Sequence, residues 1–514
     1  MRALRAGTLH GLLLLAGCLA AVGQQREQAP VQPQVIEEAI DVRVVNVEAV
    51  VVDGEGKPVR GLTAADFRLL VDGRDVPIEY FTEIAEGRAA AAPPARPDTP
   101  EAPIAPVAPA ETVGRSYLVF VDDSFSVAGP RDAVLERLAA DLAQLGPQDQ
   151  MAVLAFDGRR IEVLSGWTAD RSALAAALGV ARQRPAQGNQ RIAQHRGLSE
   201  DVDVALEAVS LQYTQEEMAA LRATLDQRVS PEARTQLGKT ATAITGALRG
   251  FENPGGRKLL LLLSGGWSLQ VAPQLFGPLV ESANRLGYTV YPVDVAQGDA
   301  RVLRALDKLA AATGGKVANA ASGEILKTVA EDSGTYYWLG FSPAWVAIDK
   351  AYRIEVEVRR PGLTVRARDS FSDLSRRTEV AFKAESVLLF GGEGEDRRLR
   401  IELGEPEPVG RRGARLRVPV TLGVPVEALA LTPADRGGFV AEVPLAIAVV
   451  DADGGRAELP TSRLRVEVPG APPAGGYARF RTVVELRKGP QRLVFTVRDA
   501  ASGRILWGEA TLAP

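Results

Sequence analysis

Tyr117-Leu-Val-Phe-Val-Asp-Asp-Ser-Phe-Ser126 is the stretch on which the reading of this chain turns. A run of strand-forming apolar residues ends abruptly at Asp122, and Ser124 and Ser126 follow at alternate positions. A run this short, rich in Val and aromatics and followed by a helical pattern from near Pro130, reads as a buried parallel strand. In doubly wound sheets, ligands sit in the crevice outside the carboxyl ends of the strands. One carboxylate and two hydroxyls there suit a hard divalent cation, with waters filling the remaining octahedral positions. The loop Asp122–Ser126 is therefore the candidate functional centre.

Outward from it, residues 114–334 alternate strand and helix. Val134, Leu135, Leu138, Leu142 and Leu145 recur at helical spacing, and Met151 to Phe156 is the next strand. Lys258 to Leu263 is nearly pure Leu, as a central parallel strand should be, and Tyr288 to Val295 follows a helix at Gln274 to Leu286. Gly314-Gly315 closes a helix begun near Ala300. This order predicts an α/β domain with a doubly wound, mostly parallel sheet covered on both faces. Residues 183–236 form a polar helical insertion in it.

The flanks read differently. Residues 36–83 alternate as strands, with turns at Gly54–Pro58 and Asp72-Gly73, and residues 335–375 form a second short meander. Neither piece is large enough for an independent core. The two are expected to combine into one β-sandwich, with the α/β domain inserted between them. Residues 84–113, dominated by Ala and Pro, read as a stiff linker. Residues 376–514 read throughout as strands and Gly/Pro turns, the rhythm of a C-terminal β-sandwich.

At 514 residues, about three domains are expected. Lys+Arg 60 against Asp+Glu 64, a net charge of -4, gives no basis for nucleic-acid affinity. Residues 1–23 carry Arg2, Arg5 and a short apolar core, as an export signal does, and residues 24–35 are a Gln/Pro tether. Leu15-Ala16-Gly17-Cys18 contains the chain's one cysteine and resembles a bacterial lipobox, which implies lipidation of Cys18. The chain would then be a lipoprotein on the periplasmic side or the cell surface. Leu19 and Ala20 are not inner-membrane retention acids, so the outer membrane is favoured. The alternative is an ordinary signal peptide cut near Ala21-Val22-Gly23, leaving a soluble periplasmic or secreted protein.

Asp122-x-Ser124-x-Ser126 resembles the metal-ion-dependent adhesion site of von Willebrand factor A domains. Thr242-Ala-Ile-Thr-Gly-Ala-Leu248 resembles the second site loop, and Gly255 to Gly266 the fourth strand and third loop. Gly56–Phe67, Arg285–Asp294, Tyr336–Pro343 and Arg360–Arg366 are similar to motifs of a secreted group of such proteins common in Acidobacteria. The resemblance covers residues 36–375. It implies Mg²⁺ or Ca²⁺ held by Asp122, Ser124, Ser126 and Thr242, and an open coordination position for a carboxylate of a protein partner. The third loop departs from it: Gly265 stands where the resemblance calls for aspartate.

The resulting expectation is a cell-envelope protein-binding module of adhesion type, tethered to the membrane through its N-terminal lipid. The alternative is a metal-independent structural or assembly factor, which Gly265 favours. An enzyme is not expected. The only histidines are His10 and His195, and Gly-x-Ser-x-Gly, His-Glu-x-x-His and phosphate-loop strings are absent from the sequence.

Overall fold

A computed structural model describes residues 44–89, 112–189 and 231–512, apart from short interior stretches at 252–253, 266, 268–271, 297–299, 321–323, 344–348, 374, 391–395, 410–414, 430, 434–437, 452–455, 469–474 and 500–503. Cys18, the expected export signal and tether, and the insertion helices expected between 202 and 229 lie outside the described residues.

The stretch that opened the sequence reading is the middle strand of a five-stranded sheet. Arg115–Asp122 pairs in parallel with Gln150–Phe156 on one side and Arg257–Ser264 on the other. Tyr288–Asp294 extends the parallel set beyond Arg257–Ser264, and Ile161–Thr168 closes the opposite edge antiparallel. Side chains alternate across a strand, so Leu118 and Phe120 enter one core while Tyr117, Val119 and Val121 enter the other. The first core is covered by helices Pro231–Gly250, Ala272–Leu286 and Ala300–Ala312. The second is covered by Ala128–Asp141, Arg171–Gln183 and Ile325–Gly334. Burial on both faces is why these strands read as unbroken apolar runs.

The segments before and after this domain share sheets. Val45–Val52 pairs antiparallel with Tyr336–Phe341, setting Val47 opposite Leu339, and its other edge takes Thr364–Arg366. Tyr80–Ala85 joins the far side of Tyr336–Phe341. In a second sheet Phe67–Val71 pairs with Ala351–Val358 and with Arg74–Val76, across a turn whose Asp72 and Gly73 both have positive φ. Val47, Ala49, Phe67, Leu69, Tyr337, Leu339 and Ile354 fill one core between the sheets. The Tyr337 hydroxyl donates to the Val59 carbonyl at 2.9 Å and accepts from the Leu62 N–H at 3.2 Å. Tyr80–Ala85 and Arg88–Ala89 carry this β unit past residue 83, where the linker was expected to begin.

The reading of residues 376–514 as strand throughout needs correction. Arg376–Phe390 is an α-helix. Val380, Ala384, Val387 and Leu388 form a stripe at helical spacing, and that stripe lies against Ala446, Ala448, Val494 and Trp507. Beyond it, Arg415–Pro425 pairs with Tyr477–Arg487 in one sheet, and Phe439–Asp451 with Arg456–Val468 and Gln491–Arg498 in another. The two sheets enclose a core of Val418, Val420, Leu422, Val443, Leu445, Leu493 and Phe495. The helix also meets the inserted domain. Phe390 packs edge-on against Phe251 at 5.2 Å, and the Ser386 hydroxyl donates to the Gly250 carbonyl.

Candidate functional site

At the carboxyl end of the middle strand, Asp122 is held by protein on both carboxylate oxygens. Its Oδ1 accepts from the Ser124 N–H at 3.0 Å, and its Oδ2 accepts from Ser264 Oγ at 2.7 Å. Ser264 ends the neighbouring strand, and its hydroxyl in turn accepts from Trp267 Nε1 at 2.9 Å. Ser126 Oγ donates to the Asp122 carbonyl. Asp122, Ser126, Ser264 and Trp267 are each 0% exposed and Ser124 is 1% exposed, so these residues form a closed knot. Burial pushes the Asp122 carboxyl up to about 7, only partly offset by the Ser264 and Ser124 hydrogen bonds.

The adjacent Asp123 points elsewhere, as alternation along a strand requires. Arg131 Nη1 reaches its Oδ1 at 2.9 Å, and Arg184 Nε reaches its Oδ2 at 2.6 Å. Arg131 also donates to the carbonyls of Arg182 and Arg184. This ion cluster pins the end of helix Arg171–Gln183 against the loop. The chain then runs across the loop itself: Gln187 N–H donates to the Asp123 carbonyl and Gly188 N–H to the Ser126 carbonyl at 3.0 Å. A Cβ at Gly188 would lie 2.4 Å from that carbonyl oxygen, so only glycine permits this approach.

The third loop has no room for the missing carboxylate. A Cβ on Gly265 would stand 2.2 Å from the Ala296 Cβ and 3.1 Å from the Phe125 carbonyl oxygen. Asp294, on the neighbouring strand, accepts from the Ala296 N–H at 3.0 Å.

Thr242 does not join the site, and its assignment as a ligand is corrected. The helix that contains it begins at Pro231, well before the position expected from the motif. Thr242 therefore lies deep within the helix and on its exposed side, opposite Leu237, Ile244 and Leu248, which pack under the sheet. Asp122, Ser124 and Ser126 are brought together; Thr242 is not.

The donor set expected for Mg²⁺ or Ca²⁺ therefore does not fit a cation as assigned. Its single carboxylate already accepts from protein donors on both oxygens, the fourth ligand is on a solvent face, and no second carboxylate can enter at residue 265. A hard divalent cation needs several oxygens free to turn inward. The Ser124 Oγ alone of the four assigned side chains is buried without a protein partner.

Ser264, Trp267, Arg131 and Arg184 complete the knot and were not singled out in the sequence. Ser264 did carry a signal, as the polar residue that ends the Leu run beside the middle strand. The arginines carried none, because their contacts with Asp123 join separate elements.

No protein-family model matches the chain, and no curated protein does. Among solved structures it is similar to the VWA domain of SpRpn10, at 9% identity and TM-score 0.22, over 42% of this chain and 94% of that one. It is similar to the pilus adhesin SpaC from Lactobacillus rhamnosus GG, at 9% identity and TM-score 0.23, over 77% of this chain and 56% of that one. A Bacteroides uniformis beta-glucuronidase matches at 11% identity and TM-score 0.16, over 37% of this chain and 20% of that one. Likenesses at these scores decide nothing about this chain.

Proposed function

We propose that this chain is an exported, non-catalytic protein-binding module of the bacterial envelope. Its inserted domain, of von Willebrand factor A type, engages partners without a metal ion. The observation that carries this reading is the state of Asp122: both oxygens are occupied by protein donors, and the neighbouring loop excludes a second carboxylate. The strand-end loop then serves to lock three elements together, and partner contacts fall to the outer surfaces of the inserted domain and its β-rich flanks. The lipidated Cys18 would hold the module at the membrane.

The test is capture from an envelope extract by the full chain, with Mg²⁺ present or with EDTA. The proposal expects the same partner in both conditions. Loss of the partner in EDTA, restored by Mg²⁺, would overturn it.

One observation favours the metal-dependent reading. The Thr240 hydroxyl, like that of Ser124, is buried without a protein partner. Thr240 shares the packed face of its helix with Leu237, Ala241 and Ile244, in the same core as Phe125 and Trp267. The EDTA arm decides between the two readings.

A further inference from the structure

The seam between the inserted domain and the β unit is basic at its centre. Arg257 opens one strand of the inserted domain and is 1% exposed. Its guanidinium lies 4.0 Å over the Tyr336 ring, donates to the Ser333 carbonyl at 2.7 Å, and places Nε 3.1 Å from Glu48 Oε2. Arg368 enters from the β unit and donates to the carbonyls of Asn284 and Asn46. Among the described residues no carboxylate pairs with it.

Between the two arginines lies a cavity of about 40 Å³, lined by Asn46, Glu48, Arg257, Tyr288, Thr289 and Arg368. Gly287 and Gly314 complete its wall, both at positive φ. The Lys258 ammonium stands against Gly287, where an added Cβ would meet Nζ at 3.6 Å. Two guanidiniums and one carboxylate line the space, an excess of one positive charge.

The groups left without a partner are donors. Nε of Arg368 and the Tyr288 hydroxyl are buried and unbonded. A water molecule would bring two more donors, whereas an anion accepts from every side and removes the charge excess. Burial pushes Arg368 down to about 10. The volume admits one compact ion, since a single water needs roughly 10–15 Å³ by the same measure.

We propose that this cavity binds a small inorganic anion, of chloride to phosphate size, which ties the inserted domain to the β unit. Asn46, Glu48 and Arg368 come from one side of the seam, and Arg257, Tyr288 and Thr289 from the other. Binding therefore stabilises the docked arrangement by mass action.

The test is a thermal melt of the full chain in chloride or in gluconate at equal ionic strength, with phosphate as a third arm. Chloride or phosphate should raise Tm above gluconate by about 2 °C. The rise should vanish in Arg368→Gln. A rise in phosphate alone identifies an oxyanion site, and one in chloride alone a halide site. Equal Tm in all three salts overturns the proposal, and so does a rise that persists in Arg368→Gln, which would report a general salt effect. If Arg368→Gln does not fold, chloride-35 line broadening by the wild-type chain, relieved by phosphate, supports the site. Absence of broadening together with no phosphate shift overturns it.

Discussion

Asp122 is a carboxyl group that its own surroundings hold close to neutrality. Its folded-state value of about 7 lies above the ordinary 3.8, so the folded chain binds this proton more tightly than the unfolded chain. The stabilising contribution is thus complete below about pH 4 and is lost as pH rises through about 7. Asp123, which points away toward Arg131 and Arg184, adds a smaller coulombic push in the same direction. Wild-type stability should fall between pH 5 and 8 by about 2–3 kcal/mol more than that of Asp122→Asn, measured by urea unfolding at each pH. Parallel pH profiles for the two proteins would show that Asp122 stays ionised. At Gly265, Ala should cost about 1–3 kcal/mol through overpacking. Gly265→Asp should also lower Tm and gain nothing from Mg²⁺; a Mg²⁺-dependent rise in that variant would mean the loop can open to a cation. Asp122, Ser124 and Ser126 were legible as neighbours because a strand end fixes its next few residues locally. Thr242 was misplaced because a helix start, unlike a strand end, was not marked by its motif.

Among the elements, helix Arg376–Phe390 joins two parts of the molecule. One face covers Val494 and Trp507 of the C-terminal sheet, and Phe390 and Ser386 meet the end of helix Pro231–Gly250. Gly250 permits that contact, since a Cβ there would lie 2.9 Å from the Phe390 ring. Phe390→Ala should therefore cost about 2–3 kcal/mol, somewhat below a fully buried aromatic. It should also speed limited proteolysis between the inserted domain and the C-terminal sheets; unchanged cleavage would show that the helix does not hold them. This element was missed in the sequence because strand-rich stretches lie on both sides of it and its closing run Val387-Leu-Leu-Phe390 also reads as a strand. The Leu run at 259–263 was unmistakable because both of its faces are buried.

At the scale of the whole molecule, one chain leaves a β unit, builds an α/β domain and returns to pair with its own beginning. The hydrogen bond from Trp338 Nε1 to Glu48 Oε1, at 3.4 Å, joins residues 290 positions apart. The strands on both sides were readable from alternation, but their register depends on contacts that no local pattern carries. Asp332 fastens the seam: it accepts from Tyr291 at 2.8 Å and pairs with Lys316 at 3.0 Å and with Arg366 of the β unit. Removing one partner of a buried ion cluster leaves the others uncompensated, so Asp332→Ala should cost about 3 kcal/mol in urea unfolding. A cost no larger than that of an exposed pair would mean the seam is held by its apolar contacts.

The functional account stands on the strand-end loop being closed by protein groups. The most direct measurement is the thermal melt of the wild type and of Asp122→Ala, each with Mg²⁺, with Ca²⁺ and with EDTA. A closed knot predicts that Asp122→Ala lowers Tm while the three solutions give one wild-type curve. A wild-type Tm that falls in EDTA to the value of Asp122→Ala would contradict it and return the loop to a metal-dependent site.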